Sequence, residues 1–253
     1  MPMDEASWIN ADWPAPTHIK AGTTTRIGGV SQSPFDSLNF GLHVEDNPEH
    51  VAVNRQRLRE YLNLPSEPNW LDQVHGCTIA NDQNYQPGQS KQADASMTRT
   101  IGSVCAVMTA DCLPALITDK DGTCVAAVHA GWRGLAQGIV LKTVDAMSIP
   151  KQDLLVWLGP AIGPKQFEVG PEVREQFINQ NRLHAKAFIT GQRSDKWYMD
   201  IYQIARQQLK DHGLEQIYGG ELCTFEDAKR FYSYRRDGKT GRMVSLIWME
   251  SQA

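Results

Sequence analysis

Short apolar runs separated by polar turns dominate the middle of the chain. Val104–Ala110 and Cys124–Ala130 are almost wholly apolar, and a third run spans residues 113–118. Apolar runs of this length, bounded by turn residues, are typical of buried strands. Asp121-Gly122 marks a turn between the second and third of these segments along the chain. The pattern therefore predicts three buried strands in this region.

Helical patterns lie on both sides of these runs. Asn47-Pro48-Glu49 combines an N-cap residue, a proline at the first helical position and an early acidic residue, which predicts a helix to about Leu62. Gly213 has the position of a glycine just beyond a helix end. The remaining periodic segments predict helices over Gly134–Met147, Pro171–Ile178 and Met199–His212, and strands over Thr17–Arg26 and Leu154–Leu158.

The C-terminal pattern favours antiparallel pairing. Phe231–Arg235 and Met243–Met249 predict a closing hairpin around Asp237-Gly238. Hairpins of this kind favour an α+β fold with mixed sheets over a doubly wound parallel sheet. The polar stretch Asn84–Ala93 is interpreted as a surface loop rather than a domain boundary, so a single domain over residues 1–253 is expected.

Composition narrows the function classes. The hydrophobic content is 41% and the charged content 21%, as in ordinary globular proteins. The net charge of −4 argues against nucleic acid or an anionic membrane as a partner. No apolar run approaches the ~20 residues that cross a bilayer, and the acidic start differs from a secretory signal. Five scattered cysteines without a CxxC pair favour a reduced, cytoplasmic protein.

A thiol and an imidazole stand at the ends of the apolar runs. Cys112 lies in Ala110-Asp111-Cys112-Leu113-Pro114, and His129 precedes Ala130-Gly131. If the strands pair, the two side chains can approach and form metal ligands or an activated nucleophile. The alternative is a buried thiol and a hydrogen-bonded core histidine. That alternative is favoured for Cys105 and Cys124, which lie inside the apolar runs.

A second imidazole completes a possible metal site. His75 lies in the loop Gln73-Val74-His75-Gly76. One thiolate and two imidazoles leave a position open on zinc, which is the catalytic arrangement. The same ligands also suit an electron-transfer copper site. A multicopper oxidase needs a cluster rich in histidine, and five of the seven histidines fall outside the proposed set, so that class is disfavoured.

Four arginines lie beside glycine-containing turns. They are Arg26, Arg133, Arg235 and Arg236. The guanidinium fork suits phosphate or carboxylate ligands. The alternative for each of them is a solvated turn residue.

Across these motifs the chain resembles the YfiH-type family, whose members are variously called laccase-domain proteins, multicopper polyphenol oxidases, purine nucleoside phosphorylases or peptidoglycan editing factors. The resemblance covers nearly the whole chain. The segments that carry it include Thr24-Thr25-Arg26-Ile27-Gly28-Gly29, Leu38-Asn39-Phe40-Gly41-Leu42-His43, Gln73-Val74-His75-Gly76, Ala110-Asp111-Cys112-Leu113-Pro114, His129-Ala130-Gly131-Trp132-Arg133-Gly134, Tyr232-Ser233-Tyr234-Arg235-Arg236-Asp237-Gly238 and Thr240-Gly241-Arg242.

The resemblance implies a fold, a ligand set and an activity. The implied fold is a sandwich of mixed sheets with outer helices, in α/β/β/α layers, and the family's metal ligands correspond to His75, Cys112 and His129. The implied activity is phosphorolysis of adenosine, inosine and methylthioadenosine, with adenosine deamination beside it. Older naming in the family rests on phenol oxidation with copper, and bacterial members are linked to removal of wrongly built peptidoglycan precursors.

We therefore expect a zinc-dependent purine nucleoside phosphorylase whose partners are a purine nucleoside and phosphate. Cys112, His129 and Arg133 are the expected catalytic residues. Substrate contacts are expected from Arg26, Asn39, Gln73, Arg235 and Arg236. Three alternatives stay open: a copper polyphenol oxidase, a Cys–His hydrolase acting on peptidoglycan precursors, and a non-catalytic binding module.

Overall fold

The computed structural model describes residues 2–82 and 91–251. Its α-helices are α1 Pro48–Leu62, α2 Trp132–Ala136, α3 Ile139–Ala146, α4 Pro171–Gln180, α5 Ile201–Asp211 and α6 Tyr234–Asp237. Its strands are β1 Trp8–Asn10, β2 Ile19–Thr24, β3 Leu71–Asp72, β4 Ile79–Ala80, β5 Lys91–Gln92, β6 Ala95–Thr98, β7 Val104–Thr109, β8 Leu113–Asp119, β9 Val125–Ala130, β10 Leu154–Leu158, β11 Glu168–Val169, β12 Phe188–Thr190, β13 Trp197–Met199, β14 Ile217–Gly219 and β15 Met243–Met249. Among the described helices, none has the length and apolar character that a bilayer crossing requires.

Two large sheets organise the fold. One is a four-stranded antiparallel sheet in the order β1-β2-β15-β7. The other is a six-stranded mixed sheet in the order β14-β10-β8-β9-β6-β4, in which the two outermost pairs are parallel. Two small sheets, β11-β13-β12 and β3-β5, lie beside them.

The two large sheets pack face to face, and alternate residues of each strand point between them. Cys105 and Val107 of β7 share one buried cluster with Val125 and Ala127 of β9. His129 follows on the same face of β9, one residue before the strand ends. The alternation of the strand therefore places this imidazole at the end of the sandwich, between the sheets.

Helices cover the outer faces of both sheets. Leu58 of α1 packs with Val244 and Leu246 of β15 against the four-stranded sheet. On the other side, Val140 of α3 and Ile204 of α5 join the buried cluster that covers the six-stranded sheet. The layers run helix, sheet, sheet, helix, which confirms the predicted α+β class and sandwich architecture.

Local signals located most long elements. The Asn47 side chain accepts a hydrogen bond from the Glu49 N–H and caps α1, as predicted. The predicted helix over Gly134–Met147 is instead two helices, α2 and α3, divided at Gly138. This glycine has φ of +81°, a left-handed conformation that interrupts the helix.

The strand pairings differ from those considered from the sequence. The runs of β7 and β9, whose pairing was considered only as a condition, belong to different sheets and pack face to face, while β9 pairs with β8 and β6. The predicted closing hairpin is absent from the described residues, because Tyr234–Asp237 forms α6 and β15 pairs with β2 and β7 instead. The Ser233 side chain accepts from the Arg236 N–H, so a helix cap stands where a strand was expected.

The predicted polar loop over Asn84–Ala93 falls largely on residues 83–90, which lie outside the described residues. Lys91–Gln92 at its end form β5, which pairs in parallel with β3.

Candidate active site

A cavity of about 540 Å³ opens at one end of the sandwich, where it is lined by the last residues of β7, the turn between β7 and β8, and the end of β9. The predicted site residues that line it are His75, Cys112, His129, Arg133, Arg235 and Gln73. Arg26, Asn39 and Arg236 are not part of this lining. The structure thus brings the proposed metal ligands and two of the proposed anion-binding arginines to one cavity.

The pairing of β8 with β9 brings Cys112 and His129 together. Pro114 stands opposite His129 in this antiparallel pair, so Cys112 lies just before the start of β8 and beside the end of β9. The loop that carries His75 completes the group. The three candidate donor atoms all lie within 4.8 Å of one another, and Cys112 Sγ is 3.7 Å from His75 Nε2.

The backbone around two of these residues has an uncommon conformation. His75 has φ of +60° and Asp111, the residue before Cys112, has φ of +86°. Such values are uncommon for residues with a side chain and persist where the surroundings hold them. Hydrogen bonds from the Thr224 hydroxyl at 2.6 Å and the Arg235 N–H at 2.7 Å hold the Asp111 carboxylate. Asp111 therefore fixes the turn that presents the Cys112 thiol.

Gly131 leaves the space in which the ligands meet. A Cβ atom at this position would lie 2.8 Å from His75 Cδ2 and 3.0 Å from Cys112 Sγ. Both separations are shorter than ordinary van der Waals contacts. The glycine after β9 is therefore required for the close approach of these side chains.

Asp94 supports two of the three candidate ligands. Its carboxylate is fully buried and lies 2.8 Å from Nδ1 of His129. A carboxylate can only accept, so Nδ1–H of His129 donates and Nε2 is left for the cavity. The same carboxylate accepts hydrogen bonds from the N–H groups of His75 at 2.9 Å and Gly76 at 2.7 Å. One buried acid therefore orients a histidine ring and fixes the loop of the other histidine.

The metal-free cluster has strongly perturbed ionisation. Burial raises the pKa of Cys112, but the charge of His129 and hydrogen bonds from His129 and His75 outweigh it and bring the pKa down to about 6. Burial lowers the pKa of His129, and the Cys112 thiolate and Asp94 reverse this and raise it to about 9. Burial likewise raises the pKa of Asp94, yet its hydrogen bonds to His129 and Gly76 leave that pKa below the usual value. A thiolate and an imidazolium therefore coexist near neutral pH.

This donor set fits a borderline-soft divalent ion. Tetrahedral zinc with Zn–S of ~2.3 Å and Zn–N of ~2.0 Å places its sulfur and nitrogen ligands about 3.5 Å apart. The separation of 3.7 Å between Cys112 Sγ and His75 Nε2 agrees with that value. The thiol pKa of about 6 gives the ionised form that binds metal. His75, Cys112 and His129 can therefore hold a metal ion, with Asp94 behind His129 as its supporting acid.

Three arginines give the cavity its positive charge: Arg133, Arg235 and Arg242. The Arg133 guanidinium lies over the Trp132 ring at 4.5 Å. Arg235 donates to the carbonyl oxygens of Gln166 and Glu168. Within residues 2–82 and 91–251, none of the three arginines pairs with a carboxylate. The cavity therefore holds cationic charge that an anionic ligand can neutralise.

Two predicted arginines have structural contacts elsewhere. The Arg26 guanidinium lies over the Tyr232 ring at 4.6 Å and donates to the Asp36 carbonyl at 2.9 Å. Arg236 donates to the backbone carbonyls of Thr224, Phe225 and Phe231. Both side chains join loops together outside the cavity.

The two predicted polar residues are also bound within the fold. Asn39 is fully buried and exchanges hydrogen bonds with Gly41. Gln73 lines the cavity, but its amide donates to the Met108 carbonyl at 2.8 Å and accepts from the Met108 N–H at 2.7 Å. The Gln73 amide therefore joins its loop to the end of β7.

The sequence interpretation did not assign His43, Asp94 or Arg242 to the site. His43 and Arg242 line the cavity, and Asp94 lies behind His129. Arg242 directly follows Gly241 and so meets the same criterion as the four arginines that were selected. Asp94 carries no comparable signal, because its role depends on contacts with residues distant along the chain.

Comparison with known proteins identifies close relatives. Residues 20–250 match the family model described as multi-copper polyphenol oxidoreductase laccase. An Escherichia coli K12 protein named purine nucleoside phosphorylase YfiH is 54% identical over 241 residues, covering 95% of this chain and 98% of that protein. A Pseudomonas aeruginosa protein named purine nucleoside phosphorylase is 51% identical over 244 residues, covering 96% and 99% respectively.

Solved structures share the fold. A Neisseria meningitidis protein matches with a TM-score of 0.92 and 46% identity, covering 97% of this chain and 100% of that one. A Bacillus licheniformis protein titled hypothetical protein YfiH matches with a TM-score of 0.90 and 32% identity, covering 98% of each chain. These matches confirm the resemblance inferred from the sequence motifs.

Proposed function

The chain belongs to the multi-copper polyphenol oxidoreductase laccase family, which includes the YfiH-type proteins, and from this premise we propose that it is a zinc-dependent purine nucleoside phosphorylase. The name carried by its relatives in Escherichia coli and Pseudomonas aeruginosa supports the reaction class. One observation carries the proposal. A three-ligand cluster and three arginines line the same cavity, and in the described structure these arginines have no carboxylate partners.

Phosphorolysis requires a nucleoside and a phosphate dianion in one site. A phosphate oxygen bonds to C1′ of the ribose, and the C1′–N9 bond breaks with its electron pair leaving on the purine. The departing purine takes up the proton that the hydrogen phosphate carried, so the products are a free purine and ribose 1-phosphate, or the 5′-methylthio form of this sugar phosphate from methylthioadenosine. Arg133 and Arg235 supply charge for the phosphate, because guanidinium forks bind phosphate oxygens well. We propose adenosine, inosine and methylthioadenosine as the substrates.

His75, Cys112 and His129 are the residues that would hold zinc. Zinc supplies Lewis acidity toward a substrate oxygen and can activate water, which is the basis for a proposed adenosine deaminase side activity. Asp94 keeps Nδ1 of His129 protonated and so keeps Nε2 directed to the cavity. Phe167 and Tyr234 contribute aromatic surface to the same cavity, and Tyr234 is 62% exposed. Their rings offer a stacking surface for a purine base.

A Cys–His hydrolase is the second candidate, and the ionisation of the cluster favours it. A thiol with a pKa of about 6 beside His129 has the character of an activated nucleophile. A copper polyphenol oxidase is a third possibility from the family description. In the part of the chain that the structure describes, one cluster of three ligands is found, which suits a single ion better than several coppers.

The test is the phosphate requirement of inosine cleavage. Zinc-loaded protein is incubated with inosine, with and without inorganic phosphate, and the products are identified by chromatography and mass spectrometry. The proposal predicts hypoxanthine and ribose 1-phosphate only when phosphate is present. Free ribose formed in phosphate-free buffer would identify a hydrolase, and phenol oxidation that requires added copper would identify the oxidase.

A further inference from the structure

Asn39 joins two loops at one wall of the cavity. Its Oδ1 accepts hydrogen bonds from the backbone N–H of Gly41 at 3.0 Å and of Arg242 at 2.9 Å. Its Nδ2 donates to the Asp46 carboxylate at 2.8 Å, and Asp46 also accepts from the Ser31 hydroxyl at 2.6 Å. Asn39 is fully buried. Its network therefore fixes the segment between β2 and α1 against the residues that directly precede β15.

Each of the two loops presents one basic side chain to the cavity. His43 lies in the loop that contains Gly41, and Arg242 is the residue directly before β15. A Cβ atom at Gly41 would lie 3.0 Å from Arg242 Cγ and 3.3 Å from His43 Cε1. The side chains of His43 and Arg242 therefore flank the same glycine and lie beside each other.

One nitrogen of the Arg242 guanidinium is hydrogen-bonded within the protein, and the other two are available to a ligand. Its Nη1 donates to the carbonyl oxygens of Thr240 and Gly241, each at 2.9 Å. Nε and Nη2 have no hydrogen-bond partner in the described part of the chain. Neither ring nitrogen of His43 is hydrogen-bonded there. The Cys112 thiolate and the Asp111 carboxylate act electrostatically on Arg242, but neither forms a hydrogen bond or an ion pair with its guanidinium in the described structure. The Nε and Nη2 N–H groups are therefore available to the oxygen atoms of an anionic ligand.

We propose that His43 and Arg242 form an oxyanion subsite that binds inorganic phosphate in the cavity of His75, Cys112 and His129. The identity of the anion rests on the proposed phosphorylase function; the subsite itself rests on the geometry. Arg242 is better placed for this role than Arg133. The two backbone carbonyls hold its guanidinium in position, whereas Arg133 is exposed and contacts the Trp132 ring. Asn39 is a positioning residue for both side chains.

The experiment measures phosphate binding and phosphate use separately. Inorganic phosphate is titrated calorimetrically into the zinc-loaded wild type and into Arg242→Gln, His43→Gln and Arg59→Gln, with no nucleoside present. Arg59 is the matched control, because it lies on the surface of α1 and pairs with Glu67 at 3.2 Å. Loss of a charge-assisted hydrogen bond predicts roughly tenfold to hundredfold weaker phosphate binding in Arg242→Gln. We expect a smaller weakening in His43→Gln and none in Arg59→Gln.

Steady-state kinetics with inosine then show whether the substitution affects the use of phosphate or the use of the nucleoside. The KM for phosphate should rise by a similar factor in Arg242→Gln, while the KM for inosine changes less than about threefold. If Arg242→Gln does not fold, His43→Gln decides the matter, because its ring has no hydrogen bond to lose in the described structure. Phosphate binding that is unchanged in the folded variants overturns the subsite, as does an equal loss in the control.

Failure of the subsite differs from failure of the function. Phosphate binding that depends on Arg242, in a protein that cleaves no inosine, leaves the subsite standing and refutes the phosphorylase. Phosphate-dependent inosine cleavage with an unchanged KM for phosphate in both variants refutes the subsite and leaves the phosphorylase standing.

Discussion

Oδ1 of Asp94 lies 2.8 Å from Nδ1 of His129, and this contact determines which ring nitrogen of His129 faces the cavity. The pairing resembles the carboxylate–histidine–metal arrangement that orients ligands in metal sites. Asp94 also holds the His75 loop through the N–H groups of His75 and Gly76. The site is therefore organised by a residue that does not itself contribute a candidate ligand atom.

Asp94→Asn should weaken zinc binding by about 10- to 100-fold. An asparagine amide keeps the size of the side chain but removes its charge and one acceptor, so the His129 ring and the His75 loop lose their fixed orientation. Competition with a chromophoric chelator measures the zinc dissociation constant. Asp119→Asn is the control, because Asp119 is also buried and accepts the Thr123 and Cys124 N–H groups in the β8–β9 turn. Equal loss of zinc in both variants would contradict the role of Asp94.

Cys112→Ala should abolish zinc retention and activity, whereas Cys124→Ala should retain both. The purified wild type should carry about one zinc per chain, since the described residues form one three-ligand group. Cys124 is fully buried and its pKa is raised to about 11, so its loss removes a packing group and costs ~1 kcal/mol of stability. Elemental analysis and thermal unfolding measure the two effects. Several coppers per chain after mild purification would argue for the oxidase.

Arg133→Ala and Arg236→Ala should separate function from stability. Arg133 is exposed and contacts the Trp132 ring, so its loss should change the unfolding free energy by less than ~1 kcal/mol and raise the KM for phosphate. Arg236 donates to three backbone carbonyls, so its loss should destabilise the protein by about 2–3 kcal/mol. Urea unfolding and phosphate saturation curves measure both quantities. An unchanged phosphate dependence in Arg133→Ala would exclude Arg133 from phosphate binding.

Local sequence patterns predicted individual strands and helices but not how the strands pair. Apolar runs identified β8, β9 and β10, and the Asn47 cap identified α1, because each signal lies within the element itself. The pairing of β9 with β8 rather than β7 depends on how two sheets stack, and the apolar pattern is the same in either arrangement. Two-residue strands such as β3 and β4 are too short to produce any periodicity.

The candidate ligands carry a clearer sequence signal than the residues that position them. Cys112 and His129 stand out because a reactive side chain at the end of an apolar run is unusual. Asn39 has the polarity of a substrate ligand, yet its contacts with Gly41 and Arg242 make it part of the scaffold. Sequence alone cannot separate these roles, because both need the same amide donor and acceptor.

Alkylation of the metal-free protein should follow the ionisation of Cys112. Its pKa of about 6 lies below the ordinary thiol value of 9.0, so the thiolate fraction falls as pH drops through 6 and is nearly complete above pH 7. The iodoacetamide rate at Cys112 should therefore reach a plateau by about pH 7. Cys105, whose pKa burial raises to about 12, should not react over this range. Peptide mass spectrometry gives the rates; a Cys112 rate that still rises between pH 8 and 9 would contradict the thiolate–imidazolium pair.

Metal removal should distinguish zinc catalysis from cysteine catalysis. The zinc proposal predicts that a strong chelator stops phosphate-dependent inosine cleavage and any adenosine deamination in phosphate-free buffer, since both need the ion held by His75, Cys112 and His129. Addition of zinc should restore both reactions.

A Cys112 nucleophile predicts the opposite result, because the thiolate is formed without metal and is more accessible when none is bound. Product assays before and after chelation, with Cys112 alkylation followed in parallel, measure the difference. Full turnover by rigorously metal-free protein, lost on alkylation of Cys112, would replace the zinc proposal with the hydrolase.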